Sequence, residues 1–308
     1  MDKEAPKWHI DDIVNWRPNE SILMQPDFEK WAMKGLTPKE PFIDKKTPIT
    51  TFGSCFATEI SKHLSASGYN LLGVPDGLGQ QHATYYDNVV AFIDTINNTF
   101  AIKQLFDWAV WDRNFYEETW HRGDKSIIEK NEKLRAGTKE LFKNTEVFII
   151  TLGISEVWYN KETNDVFWRA IPKNMFKSKV HGFKIATFSE NKENIKSIYK
   201  TIKHINPNAK VVFTISPVPI QATFRPIPAI VADNVSKALL RCSLDEFLRE
   251  NEDFNKTLFY FPGYEFIKDV FPVRTGKSSY REDNRHVKSY LVEKIIKIFE
   301  TYYSKTED

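Results

Sequence analysis

Two short segments of this 308-residue chain gather side chains that can do acyl chemistry. The first is Gly53-Ser54-Cys55, a glycine followed by two nucleophile-capable residues. An apolar helical period begins directly afterwards, with Phe56, Ile60 and Leu64 on one face. A helix N-terminus offers free backbone N–H groups and a positive dipole end, which stabilise a thiolate or a tetrahedral oxyanion. The plainer alternative makes Ser54 an N-cap and Cys55 a small buried packer. The second segment is Asp283-Asn284-Arg285-His286, just before the last helical stretch. A carboxylate three residues ahead of a histidine can orient the imidazole and stabilise it once protonated. Its alternative is a helix cap at Asp283 with His286 facing solvent.

The elements around these segments decide whether they can meet. Thr47–Gly53, Glu146–Leu152, Lys210–Ile215 and Thr257–Phe261 read as buried strands, and Tyr69–Leu72 as a shorter one. Helical periods run over Cys55–Ser67, Ser126–Phe142, Glu190–His204, Ala229–Glu250 and Val287–Tyr303. The stretch from Tyr85 to Lys143 is mainly helical, opened by Asp87 or Asn88. Strands alternating with helices predict a parallel sheet and a three-layer α/β/α sandwich of five strands, with ligands beyond the carboxyl ends of the strands. The first strand-to-helix turn and the final loop then share one rim. The aromatic piece Trp158–Trp168 is predicted as a hairpin beside it. Residues 1–46, with Trp8, Trp16 and Trp31 among prolines and charges, form an arm pinned by its aromatics to a body spanning 47–308.

Composition narrows the classes. The net charge of +2 comes from evenly spread charges, without the basic run of a nucleic-acid footprint. Cys55 and Cys242 are the two cysteines, so neither a zinc spacing nor a disulfide scaffold is expected; Cys242 is assigned to packing. The N-terminus lacks a signal-peptide pattern and no apolar run is long enough for a membrane span, which points to a reducing cytoplasm. No G-x-G-x-x-G or P-loop pattern follows the first strand, which disfavours nucleotide binding.

Phe52-Gly-Ser-Cys-Phe-Ala57 reproduces the motif that names the GSCFA-domain family. Further pieces are similar as well: Thr151-Leu-Gly-Ile-Ser-Glu-Val-Trp158, Phe213-Thr-Ile-Ser-Pro-Val218, Ser236-Lys-Ala-Leu-Leu-Arg241 and Tyr260-Phe-Pro-Gly-Tyr-Glu265. The family resembles a divergent branch of the SGNH/GDSL hydrolases, which are esterases, lipases, thioesterases and carbohydrate O-acetyltransferases or deacetylases. The resemblance implies a mostly parallel, flavodoxin-like sheet. A gapless match to the GDS motif implies Cys55 rather than Ser54 as nucleophile, with His286 as general base and Asp283 as its orienter. The block that usually reads Gly-x-Asn-Asp is Gly153-Ile-Ser-Glu156 here, so the usual oxyanion asparagine is missing. Ser54, Gly153, Ser155, Glu156 and Trp158 are the candidates for oxyanion or substrate contacts.

Each of the remaining candidates carries two readings. Glu156 holds a substrate hydroxyl or supports a loop. Gly73, Gly77 and Gly79 offer an oxyanion N–H or simply form a turn. His82 and His181 are loop residues of the surface. Trp158, Trp168 and Tyr264 stack on a sugar or fill the core. The expected function is acyl transfer through a covalent acyl-enzyme, as a carbohydrate O-acyltransferase or an acyl esterase on a glycan-linked ester. No cofactor is required, and acyl-CoA is a candidate donor. The alternative is an inactive module that binds a glycan or protein, and the sequence leaves the oligomeric state open.

Overall fold

Apolar side chains alternate along the central strands, so each strand covers two layers at once. The computed structural model describes residues 15–73, 88–92, 96–120 and 127–306. The N-terminal arm holds two short helices, α1 (Glu20–Leu23) and α2 (Glu29–Met33). Strand β1 (Ile49–Gly53) leads into α3 (Cys55–Ala66). After α4 (Thr99–Trp111) and α5 (Glu132–Asn144) come β2 (Val147–Leu152), β3 (Glu156–Asn160) and β4 (His181–Ile185). Then follow α6 (Phe188–Ile205), β5 (Lys210–Ile215), α7 (Ala229–Arg249) and β6 (Leu258–Tyr260). The chain closes with α8 (Gly263–Glu265), a π-helical turn (Phe266–Val270), α9 (Phe271–Thr275) and α10 (Ser289–Tyr303).

The main sheet has the order β1-β2-β5-β6, all parallel, with Phe52 opposite Ile150 and Ile150 opposite Phe213. Phe52, Phe148, Ile150 and Phe213 join a core built with α4, α5, α6 and α7. Ile49, Val147, Ile149, Val212 and Phe259 turn to the other face, where α3 and α10 pack. Two cores on opposite faces of one parallel sheet make the three-layer α/β sandwich.

The main sheet has four strands where five are expected. The segment at Tyr69–Leu72 shrinks to one bridge, Leu71 opposite Ile49, with Ile49 N donating to Asn70 O (2.9 Å) and Leu72 N to Ile49 O (2.7 Å). Gly73 follows at φ +75°, a left-handed backbone that is not extended strand. The aromatic hairpin is also corrected. β3 pairs antiparallel with β4, while Trp158–Trp168 contributes a single bridge, Tyr159 opposite Val166. His181 therefore opens a strand and is buried, contrary to its expected place in a surface loop. Cys242 is exposed, because it lies across α7 from Leu240 and Leu244, which face the core.

The arm is anchored differently from the expectation. Trp16 and Trp31 are exposed, whereas Leu23, Phe28 and Met33 are buried. Phe28 meets Phe266 edge-on at 6.2 Å and carries the Arg274 guanidinium over its ring. Trp8, Gly77, Gly79 and His82 lie outside the described residues. Among the described residues, no helix is long and apolar enough to cross a membrane.

Candidate active site

The turn from β1 into α3 is fixed by backbone sterics. Gly53 sits at φ +137°, and a Cβ there would stand 2.1 Å from the carbonyl oxygen of Thr151 on the neighbouring strand. Only glycine fits so close an approach. Ser54 follows as the N-cap of α3, its hydroxyl accepting from Phe56 N at 3.1 Å. That side chain is buried, whereas Cys55, the first helical residue, is half-buried. The capping role considered for Ser54 is therefore present, and the buried-packer role considered for Cys55 is not. Cys55 stands at a helix N-terminus, the positive end of the α3 dipole.

Asp283 and His286 form a pair held by their own turn. Asp283 Oδ2 lies 2.5 Å from His286 Nδ1, and Oδ1 accepts from the backbone N–H groups of Arg285 and His286, each at 3.0 Å. Asn284 takes a left-handed φ of +53° to close this turn. The hydrogen bond from His286, then the two backbone donors, hold the Asp283 carboxyl far below the usual carboxylate range. Asp283 does not cap the last helix. Lys288 occupies the N-cap of α10 without a side-chain bond. The turn is docked onto the end of β5: Arg285 Nε donates to Pro219 O at 3.1 Å, and the Tyr280 hydroxyl to Pro217 O at 2.9 Å.

Asp283 and His286 line a cleft of about 470 Å³. Its other walls include Ile220, Ile230, Asp233 and Lys268, so apolar and charged groups share it. Beneath lies Lys237 of α7, fully buried. Its Nζ donates to Gly153 O at 2.6 Å and to Val218 O at 3.0 Å, and stands 3.8 Å from Asp233 Oδ1. Burial pushes this amine down to about 8, against the opposing pull of Asp233. Lys237 thus ties the end of β2 to the loop after β5, the same loop that receives Arg285. Lys237 falls within the Ser236–Arg241 motif, where the sequence alone assigns it no role. The signal was present: Lys237 lies one turn from Leu240 and Asp233 on the inward face of α7.

Several of the expected site groups hold partners inside the protein. Gly153 N donates to Asn97 O at 2.7 Å, so it offers no free oxyanion donor. Ser155 is buried against α7, its N–H donating to Ser236 Oγ and its hydroxyl to Ser236 O. Glu156 is buried and accepts from the Thr223 hydroxyl, which makes it a support for the loop after β5. Trp158 is half-buried among Phe176, Phe183 and Phe224. Trp168 is buried and stacked on Trp120 at 4.6 Å, a core position. Burial lowers the basicity of His181, whose Nδ1 accepts from Lys177 N at 3.0 Å.

The structure brings Asp283 to His286 and places Ser54 against Gly153, where a Gly153 Cβ would lie 3.4 Å from Ser54 Cβ. It does not join Cys55 to the pair. Cys55 makes no hydrogen bond with His286 and is not among the residues lining the cleft. Among the described residues, no group of three His, Cys, Asp or Glu side chains is placed to hold a metal ion.

The GSCFA family model matches residues 48–299, from the start of β1 to the last turns of α10. The chain belongs to the GSCFA family. The match includes both the Cys55 turn and the Asp283–His286 turn. A comparison with curated proteins finds no match. Among solved structures, a Streptococcus pneumonia protein provisionally assigned as a platelet activating factor is similar at 13% identity, covering 91% of each chain with a TM-score of 0.41. A family 3 carbohydrate esterase from Clostridium thermocellum is similar at 12% identity, covering 84% of this chain and 95% of that one, with a TM-score of 0.38. Another from Talaromyces cellulolyticus shares 10% identity over 84% of this chain and 100% of that one, with a TM-score of 0.37.

Proposed function

We propose that this GSCFA protein is an acyl-transfer enzyme that works through a covalent acyl-enzyme on Cys55. The observation that carries the reading is the Asp283–His286 pair, pre-formed in the wall of a cleft at the rim that also holds the Cys55 turn. With Nδ1 committed to Asp283, the imidazole keeps Nε2 for proton transfer. His286 takes the thiol proton as Cys55 sulfur attacks the ester carbonyl. The imidazolium then returns that proton to the departing alkoxide, leaving a thioester on Cys55. Water or a second hydroxyl, deprotonated by His286, releases the acyl group. Catalytic hydrogen bonds are commonly long in an empty site and tighten with substrate, which reconciles this scheme with the separation of Cys55 from His286.

The substrate class we favour is a glycan-linked ester, with an acyl-CoA as the donor if the acceptor is a sugar hydroxyl. The mixed apolar and charged walls of the cleft suit an acylated sugar, which presents both kinds of surface. A second reading, an inactive module that binds the same ligand, is favoured by the missing contact between Cys55 and His286. One experiment separates them. Intact-protein mass after mixing with p-nitrophenyl acetate, and separately with acetyl-CoA, is expected to show one acetyl adduct, absent in Cys55→Ala and retained in Ser54→Ala. No adduct and no p-nitrophenol release above buffer would leave the binding module as the reading.

A further inference from the structure

The oxyanion site of this protein has lost its expected parts. Residues 153–156 carry no asparagine, Gly153 N–H is bound to Asn97 O, and Ser155 is bonded to Ser236. We propose that the side-chain amide of Asn97 supplies the missing donor, reaching the rim from the segment before α4. This inference rests on the acyl-transfer reading above.

Three observations place Asn97 there. First, its backbone carbonyl accepts from both Gly153 N (2.7 Å) and Ile154 N (3.2 Å), which clamps the residue onto the carboxyl end of β2. Second, its side chain fills the space that Gly153 leaves. A Cβ on Gly153 would lie 3.1 Å from Asn97 Cβ, 3.5 Å from Asn97 Cγ and 3.4 Å from Ser54 Cβ. Asn97 and Ser54 thus both approach the same glycine, and Ser54 directly precedes Cys55. Third, the carboxamide is half-buried and makes no hydrogen bond among the described residues. The neighbouring Asn98, by contrast, spends its side chain capping α4 through Ala101 N at 2.8 Å. A half-buried amide packed on the same glycine as Ser54, held by its backbone and with its own donors free, is suited to an oxyanion donor that needs little reorganisation.

The chemistry follows from these placements. When Cys55 sulfur adds to an ester carbonyl, charge develops on the carbonyl oxygen. The Cys55 N–H, at the first position of α3, has no partner within the helix and is a second donor at that turn. Two donors from separate segments then share the charge, one main-chain and one side-chain. A side chain at 153 would crowd Asn97, so glycine there leaves room for the Asn97 side chain while its own N–H is bound to Asn97 O.

The test measures acylation and nucleophile reactivity separately, on the full chain. In wild type, Asn97→Ala and the isosteric Asn97→Asp, we would follow the p-nitrophenol burst with p-nitrophenyl acetate, and alkylation of Cys55 by iodoacetamide. A lost oxyanion donor typically costs roughly 10²- to 10³-fold in rate. The expected result is a loss of that order in both variants, at unchanged KM, with alkylation rates and thermal midpoints within twofold and about two degrees of wild type. Asn97→Asp keeps the shape if Asn97→Ala folds poorly, and its carboxylate would repel the oxyanion. Acylation within threefold of wild type in both variants overturns the assignment and leaves the acyl-transfer reading standing. Parallel loss of acylation and alkylation also overturns it, since Asn97 would then shape the turn alone. A wild-type protein with no burst and no adduct removes both proposals together.

Discussion

The two turns at the carboxyl ends of the strands are held by different physics. The Gly53–Cys55 turn is a tertiary object: Gly53 has its conformation because the Thr151 carbonyl leaves no room for a side chain, and Ser54 is buried. The Asp283–His286 turn is a local object: a carboxylate bonded to two backbone N–H groups and one imidazole within three residues, on an exposed surface. A buried turn is as rigid as the sheet behind it. A local turn is pre-formed in itself, but its position depends on the few bonds that dock it, chiefly Arg285 to Pro219 and Tyr280 to Pro217. Cys55 is therefore fixed relative to the sheet, and His286 is fixed relative to its carboxylate. The distance between them is set by the least constrained link.

The sharpest way to break this comparison is at Gly53. Gly53→Ala forces a Cβ into the Thr151 carbonyl at a φ unfavourable to L-residues. The expected cost is about 4 kcal/mol or more, read as a lowered urea midpoint. A loss under about 1 kcal/mol would show that the turn is not tied to the sheet as described.

The local turn should respond in activity instead of stability. His286→Ala is expected to lower acyl transfer by roughly 10²- to 10⁴-fold, and Asp283→Asn by less, because the base acts directly and its orienter through it. Urea midpoints of both should stay near wild type, since the side chains are exposed. As Asp283 is held far below its usual range, it stays a carboxylate into acid. Any stability it adds is present above the ordinary carboxylate range and is lost only as pH falls through the lowered value. Equal and negligible rate losses in both variants would remove the pair from the mechanism.

The smallest effect belongs to Lys237, which ties the end of β2 to the loop after β5. Its amine is held near 8, under the value of about 10.4 for an exposed lysine, so between those limits the unfolded chain binds more protons than the folded one. Stability should therefore rise with pH from about 8 to 10, by on the order of 1–3 kcal/mol, and Lys237→Met should lack that rise. Urea melts at pH 7.5 and pH 10 on both proteins decide it. The same slope in both would assign the pH dependence to other groups.

Much of this molecule is readable along the chain because it depends on near neighbours. The alternation of β2 and β5, the apolar stripes of α3 and α10 and the Asp283–His286 spacing all follow from backbone period and hydrogen bonds across a few residues. Where the structure departs from the sequence reading, the deciding contact is distant. Phe28, not a tryptophan, anchors the arm because Phe266 and Arg274 are there to receive it. β3 takes β4 as its partner across a stretch with little strand pattern.

The sequence by itself determined a parallel α/β architecture, a glycine-led turn into a helix at Cys55 and a carboxylate–imidazole pair at Asp283 and His286. Only the tertiary structure decided what surrounds them. Lys237 reaches Gly153 across 84 residues and Ser155 reaches Ser236 across 81, and these bonds determine which donors remain free at the rim. The reason is one of range. A local turn is encoded by residues that are always close, whereas an oxyanion site is defined by which buried polar groups have already found partners, and that depends on how every layer packs.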